Sequence, residues 1–436
     1  MSEPEPKRSR PWWRKIPTSL SLRMLMVLVL VMGGGLGWMV RRAKVQRRAV
    51  EAITKAGGQV SYDFQYAGKP PKRGASSPWP KWLVEAVGMD YFHNVDGVWF
   101  HPHGKRDADA LSTDALMAHI GQLDRLTFLS LDYAPGESLT DVGFAHVAGL
   151  DRLENLSIRS SRLTDAGLTP LAKLTQLRLL HLNGTSMTDA GLAHLRGLTG
   201  LNWLDLSGNA GIHGSGLVHL AAMPKLVNLN LDQTPIDEAA LSHLAGRRFL
   251  HTLVLSGPGI TDEGLAKLAS VVNLSSLTIR DAPITSAGLA HLKRSRSLWY
   301  LTLQSVRVDD LGPLAPLTHL RELTVVDAPI DDAGLAALAN APRLKKLTLD
   351  ATQITDAGLG QVVPLQNLEL LSLTKTKVTD AGLDRLINLS NCKRLTLFGT
   401  TVTPAGVARL HGRFPAMWIE GKALPGSSPG LEAMAK

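Results

Sequence analysis

A leucine that returns every 24 residues constrains this chain more than any other feature. The middle leucine of an L-x-x-L-x-L run falls at 129, 156, 180, 204, 229, 253, 277, 301, 323, 347, 371 and 395. The gaps are 27, 24, 24, 25, 24, 24, 24, 22, 24, 24 and 24, a period that chance does not hold over twelve units. Between these runs stands T-D-A-G-L-x-x-L: LTDAGLTPL (163–171), MTDAGLAHL (187–195), ITDEGLAKL (260–268), ITDAGLGQV (354–362) and VTDAGLDRL (378–386). VDGVWF (95–100) reads as an entering strand and MWI (417–419) as a closing one.

Each unit has a physical logic. The L-x-L alternation puts two leucines on one face of a short strand and the intervening residues on the other. Thr-Asp then supplies a helix N-cap and a first-turn carboxylate. Leu168 and Leu171, three apart, and their equivalents face inward on a short helix. The recurrent glycine (167, 191, 264, 288, 334, 358, 382) lets the helix approach neighbouring backbone closely. One unit cannot bury its own leucines, but stacking does. The expected fold is an α/β solenoid, with a parallel sheet on the concave side and short helices on the convex side.

These motifs resemble the leucine-rich repeat family, with 24-residue TDAGL units of the kind found in bacterial membrane-anchored repeat proteins. The resemblance covers roughly residues 95–420 and implies a horseshoe fold, while saying almost nothing about activity. Helix-containing repeats of ubiquitin-ligase adaptors are similar, but no adaptor-type docking domain accompanies them here. The position the family often fills with Asn or Cys holds Thr185, Asn209, Thr234, Thr352, Thr376 and Thr400, side chains able to bond the loop backbone. Two places depart from the period: RVDDLGPLAPL before Leu323 is short, and YAPGES after Leu131 is an insertion. Local kinks are expected at both.

Met24 to Val40 is seventeen residues without a charge. As a helix this run spans about 26 Å, close to the ~30 Å of a hydrocarbon core. Trp12, Trp13 and Trp38 suit a membrane interface, and Arg23, Arg41 and Arg42 can snorkel at the two ends. GGGLGWMVRRAK follows where a signal peptide would need small residues at a cleavage site, so an uncleaved signal-anchor is expected. Gly33–Gly35 lies inside this run and suits helix pairing, not phosphate binding. Basic residues flank both ends about equally, and large neutral domains translocate regardless of loop charge. A single-pass protein with its repeats extracytoplasmic is therefore the expectation.

The expected organisation is a basic tail (1–23), the anchor (24–40), a juxtamembrane helix, linker and cap (41–94), the solenoid (95–420) and a disordered tail (421–436). RRAKVQRRAVEAITKA (41–56), with Val45, Ala49 and Ile53 four apart, continues the anchor, lies on headgroups or forms a solvated stalk. VSYDFQY (60–66) alternates like a strand, and GKPPKRGASSPWP (68–80) reads as a linker.

The formal charge of +9 resides wholly in residues 1–60, which hold twelve Lys/Arg against three Glu. The rest balances 35 basic with 35 acidic side chains, so no phosphate-tracking surface and no nucleic-acid partner are expected. A single cysteine excludes an intramolecular disulfide, and Cys392 at a strand-leucine position reads as a buried small hydrophobe. His146, His194, His219, His243 and His291 recur at one helix position and read as a solvated column, and the His101/His103 pair as a surface loop. No metal site and no cofactor is expected. The sequence shows no linear nucleophile, phosphate or metalloprotease motif, so no catalytic residues and no enzyme are expected.

The concave face is the candidate site. Its first outward column is Phe128, Asn155, Leu179, Trp203, Asn228, Thr252, Ser276, Tyr300, Glu322, Lys346, Leu370 and Arg394. The second is nearly all Ser/Thr (130, 157, 278, 302, 324, 348, 372, 396), broken by His181, Asp205, Asn230 and Val254. Against that uniform background Leu179, Trp203, Asp205, Asn228, Asn230 and Asp232 form the most distinctive cluster, with Tyr300 further along. An aromatic among polar groups is the usual composition of an interface hot spot. Trp418 and Phe398 suit a terminal cap. The expected function is non-catalytic binding of a protein, with a structural envelope scaffold or an adaptor-like recognition module as alternatives.

Overall fold

The computed structural model describes residues 22–65, 77–101, 111–134, 139–159 and 162–421. The basic tail up to residue 21, most of the linker, His103, the centre of the YAPGES insertion and the final tail lie outside them. Within them, fifteen strands form one sheet whose spatial order is the chain order. The first pair, Gly58–Tyr62 with Val95–Phe100, is antiparallel, and every later pair is parallel. Parallel neighbours require a crossover between strands, and each repeat supplies one as a helical turn on the opposite side. The architecture is an α/β solenoid.

The inward strand positions carry the core. Leu180, Leu182, Leu204, Leu206, Leu277, Leu347 and Leu349 are all fully buried, as are Leu168 and Leu171 on the helical side. Leucine stacks on leucine in register, for example Leu204 on Leu229. Most convex segments are 3₁₀ turns or single α turns, shorter than the helices the sequence suggests. A 24-residue unit leaves room for only one or two turns between strands, and 3₁₀ geometry is favoured in pieces of that length.

The T-D-A-G-L motif does more than cap its own turn. Thr188 Oγ1 does accept the Ala190 amide at 3.3 Å, the expected N-cap. The aspartate, however, reaches into the next repeat: Asp165 accepts the Thr188 amide at 2.7 Å and its hydroxyl at 2.6 Å. Asp141–Thr164, Asp262–Thr285, Asp356–Thr379 and Asp380–Thr403 repeat this double bond. The recurrent glycine is its counterpart. A Cβ at Gly167, Gly191, Gly288, Gly358 or Gly382 would collide with the carboxylate of the preceding repeat. The close approach expected at glycine is thus to an aspartate side chain. At the threonine/asparagine position, Thr352, Thr376 and Thr400 each donate to a strand-end carbonyl at 2.7–2.9 Å, and Asn209 donates to two, all four being buried.

The two departures from the period are absorbed outside the sheet. Before Leu323 the helical turn shrinks to Gly312–Leu314, while Tyr300–Gln304 pairs with Glu322–Val326 over all five residues. Phe128–Ser130 likewise pairs in register with Asn155–Ser157, so neither place shifts the strand register.

A single helix, Leu22–Lys55, contains both the apolar run and the basic stretch after it. All side chains from Met24 to Met39 are exposed. Beyond them Ala43, Gln46, Ala49, Ile53 and Ala56 are buried, and Ala49, Ile53 and Ala56 join the leucine core. Of the readings open for residues 41–56, the solvated stalk is corrected: the apolar side of this segment closes the leucine core, at a spacing of three or four that keeps one helix face inward. Gln46 fastens it, donating to Asp90 at 2.9 Å and the His93 carbonyl at 2.8 Å and accepting the Val95 amide at 3.2 Å. Arg42 pairs with Asp124 at 2.8 Å.

Candidate binding face on the concave sheet

Each strand turns three outward positions to the concave side, and the parallel register lines them into columns. Leu179, Trp203 and Asn228 are neighbours in the first, and His181, Asp205 and Asn230 in the second. Trp203 is 43 % exposed, Leu179 and Asn228 are half-buried, and the His181 ring meets Trp203 edge-on at 5.8 Å between centroids. Asn230 donates to Asp205 at 3.1 Å and accepts the Asp232 backbone amide at 3.0 Å, which links these three residues. Tyr300, also exposed, does not join them. It stands four strands from Trp203, roughly 19 Å at the usual inter-strand spacing.

The sequence reading left the third outward column largely unread, apart from Asp232. It runs Asp132, Arg159, Asn183, Ser207, Asp232, and with Ser157 and His181 these residues line a recess of about 570 Å³. Gly184, Gly208 and Gln233 form the rest of its lining beside Tyr133. The glycines explain its location. From Leu179–Asn183 onward each strand leads into a left-handed residue, and at 184 and 208 (φ 60° and 72°) that residue has no side chain. At the corresponding turns Asp281, Ser305, Asp327, Ala351 and Lys375 do carry one, while Gly257, Gly399 and Gly421 stand away from the insertion. The signal for the recess was therefore present in the sequence, as glycine at two successive turns beside an insertion.

The lining is partly closed on itself. The Ser157 hydroxyl donates to the Asp132 carboxylate (Oδ1 2.7 Å, Oδ2 2.9 Å), Ser130 donates to Asp132 at 3.1 Å, and Asn183 donates to Ser207 at 2.6 Å. His181 Nδ1 lies 3.3 Å from Ser157 Oγ. A carboxylate only accepts, so it takes the single hydroxyl proton of Ser157. Ser157 Oγ can then only accept from Nδ1–H, and a ring that carries this single proton has Nε2 as an acceptor. Arg280 donates to Asp232 Oδ2 at 2.8 Å. Two buried atoms, His181 Nε2 and Asp232 Oδ1, have no partner among the described residues.

Further along, the face neutralises itself. Lys346 pairs with Glu322 at 2.7 Å, and the hydrogen bond it donates to that carboxylate, then the carboxylate's charge, raises the ammonium above its ordinary range. Arg394 pairs with Glu420 at 2.7 Å, and the Trp418 indole donates to the same oxygen at 2.9 Å.

Two other sequence readings meet the structure elsewhere. None of the five column histidines is buried, and among the described residues no three His, Cys, Asp or Glu side chains are grouped to hold a metal ion. Cys392 is buried, and burial raises its thiol pKa. The fold does assemble a serine–histidine–aspartate chain that no local motif announced: Ser77 Oγ lies 2.8 Å from His93 Nε2, and His93 Nδ1 3.1 Å from Asp63. His93 is only 5 % exposed and packs on Phe64, while Asp63 also accepts two bonds from Asn94. These contacts tie residue 77 to the N-terminal cap.

Family descriptions of leucine-rich repeats match residues 151–210 and, in a second form, 248–269 and 317–339. No curated protein matches the chain. Among solved structures, an internalin of Listeria monocytogenes is 22% identical, with 77% of this chain and 92% of that chain covered and a TM-score of 0.56. A leucine-rich-repeat protein of Leptospira interrogans is 15% identical over 70% of this chain and 98% of its own, with a TM-score of 0.38. The internalin likeness concerns the fold, in agreement with the repeat matches and the stacked parallel sheet. The chain is a leucine-rich-repeat protein.

Proposed function

We propose that this is a membrane-anchored, non-catalytic protein that binds another protein through the N-terminal part of its concave face. The observation that carries this reading is the cluster around Trp203, an exposed indole among half-buried polar side chains on a rigid sheet. Aromatic side chains of this kind supply large contact area at low entropic cost, and flanking amides and carboxylates give direction. The anchor rests on a different fact. Met24–Met39 leave every side chain exposed on an unbroken helix that is long and apolar enough to cross a membrane. Lipid covers such a surface at least cost.

Capture from a detergent extract tests the binding role. Full-length chain should retain a specific partner that the double variant Trp203→Ala, Asn228→Ala loses. An identical set of proteins from both would favour a structural envelope element. Protease added to intact spheroplasts should digest the repeats if they lie outside, and protection would place them in the cytoplasm.

A hydrolytic reading has one feature in its favour, the Ser77–His93–Asp63 chain. A fluorophosphonate probe separates the two readings. The binding role expects no adduct at Ser77, whereas labelling that disappears in His93→Ala would replace it with an esterase.

A further inference from the structure

The recess beside Trp203 offers acceptors without donors. His181 Nε2 and Asp232 Oδ1 are buried and lack a partner among the described residues, and both residues line the concavity. A buried carboxylate oxygen without a donor is costly, and a charge-assisted hydrogen bond relieves it best. Two carboxylates, Asp132 and Asp232, face one guanidinium, Arg159, in the lining. Adding Asp205 and Arg280, which contact this lining, leaves the balance at one negative charge. Arg159 is exposed and bonds neither buried atom. A group that carries only donors and a positive charge matches this arrangement. A carboxylate ligand would meet Asp132 and Asp232, and a hydroxyl would bring acceptors as well as donors.

We propose that the recess receives a basic side chain, a lysine ammonium or an arginine guanidinium, from the protein partner. This rests on the reading that the concave face binds a protein. The aromatic and amide cluster at Trp203, Asn228 and Leu179, in the first outward column, supports the peptide on one side of the inserted residue. Gly184 and Gly208 leave the floor open, so the long stem of lysine or arginine can lie along bare backbone.

The probe is fluorescein-labelled tetralysine amide, titrated by fluorescence anisotropy with the full-length chain in an uncharged detergent at low salt. Binding should weaken at least tenfold in Asp232→Asn and in His181→Phe, which keeps a ring against Trp203 but removes the acceptor. Asp232→Glu should bind within a few-fold of the parent, and Lys346→Ala, on the self-paired part of the sheet, should bind as the parent does. Equal binding by parent, Asp232→Asn and His181→Phe would overturn the proposal. So would displacement of the probe by chitotetraose at lower concentration than by unlabelled tetralysine, since that result assigns the recess to carbohydrate. The capture experiment keeps the two readings apart. A partner lost with Trp203→Ala, Asn228→Ala yet retained by Asp232→Asn refutes the basic side chain alone, whereas no partner at all refutes the wider binding role.

Discussion

The strands from Phe128 to Leu231 and those from Glu322 to Glu420 share one backbone, one register and one leucine core, yet their outward faces differ. In the later strands the polar side chains find each other: Lys346 with Glu322, Arg394 with Glu420, and Ser372 with Asp350 at 2.7 Å. In the earlier ones two buried acceptors remain open beside a recess. A face whose polar groups are mutually satisfied has little to offer a ligand, because binding would first break those contacts. The periodic residues fix the fold. The aperiodic outward ones set where it can be used.

That division makes sharp demands. If the core is truly uniform, Leu204→Ala and Leu347→Ala should cost the same, about 2–5 kcal/mol each, because both leave a cavity under a fully buried leucine. Denaturant midpoints of the purified chain would measure this, and a much smaller loss in either region breaks the equivalence. The turns should then respond with opposite signs. Gly208→Ala forces a side chain into a left-handed turn and should cost about 1–2 kcal/mol. Lys375→Gly, at the equivalent turn with φ 56°, should be neutral or stabilising, and a clear loss there contradicts the strain assignment.

The bonds between repeats should again be equal on both sides of the comparison. Asp165→Ala and Asp356→Ala each remove a carboxylate that caps the next threonine, and each should cost about 1–2 kcal/mol. The smallest effect is on acid stability. The Thr403 hydroxyl, then its amide, holds the Asp380 carboxyl below the usual range. A depressed folded value means that the stabilisation is present above the unfolded value, about pH 4, and is lost as pH falls through the lowered one. Glu369, held down to about 2 by Lys345 and Lys393, acts in the same direction. Thermal melts should therefore fall between about pH 4 and 2. Asp380→Asn should flatten that fall slightly, and an unchanged slope would remove this carboxylate from the explanation.

Much of this was legible in the sequence because the leucines report it locally. The strand leucines, the inward Leu168 and Leu171, the threonine caps and the entering strand all follow from residues inside one unit. The partner of Asp165 lies 23 residues downstream, in another unit, so the motif alone suggested only a first-turn charge on its own helix. The docking of residues 43–56 was hidden for a related reason. Their charges mark a membrane flank, while Ala43, Gln46, Ala49 and Ile53 contribute a thin apolar stripe whose destination only the folded chain reveals. At the candidate site the Trp203 cluster was visible as a break in a Ser/Thr column. The recess is marked only by missing side chains, at Gly184 and Gly208 beside the insertion, and not by any residue of the first two outward columns.

Site-specific photo-cross-linking tests the central claim most directly. Benzoylphenylalanine placed at Trp203 and, separately, at Leu370 in the same outward column probes the open and the self-paired parts of the sheet in one membrane preparation. The account predicts a discrete protein adduct from position 203 and none from position 370. Adducts of equal yield from both, or from position 370 alone, would contradict it.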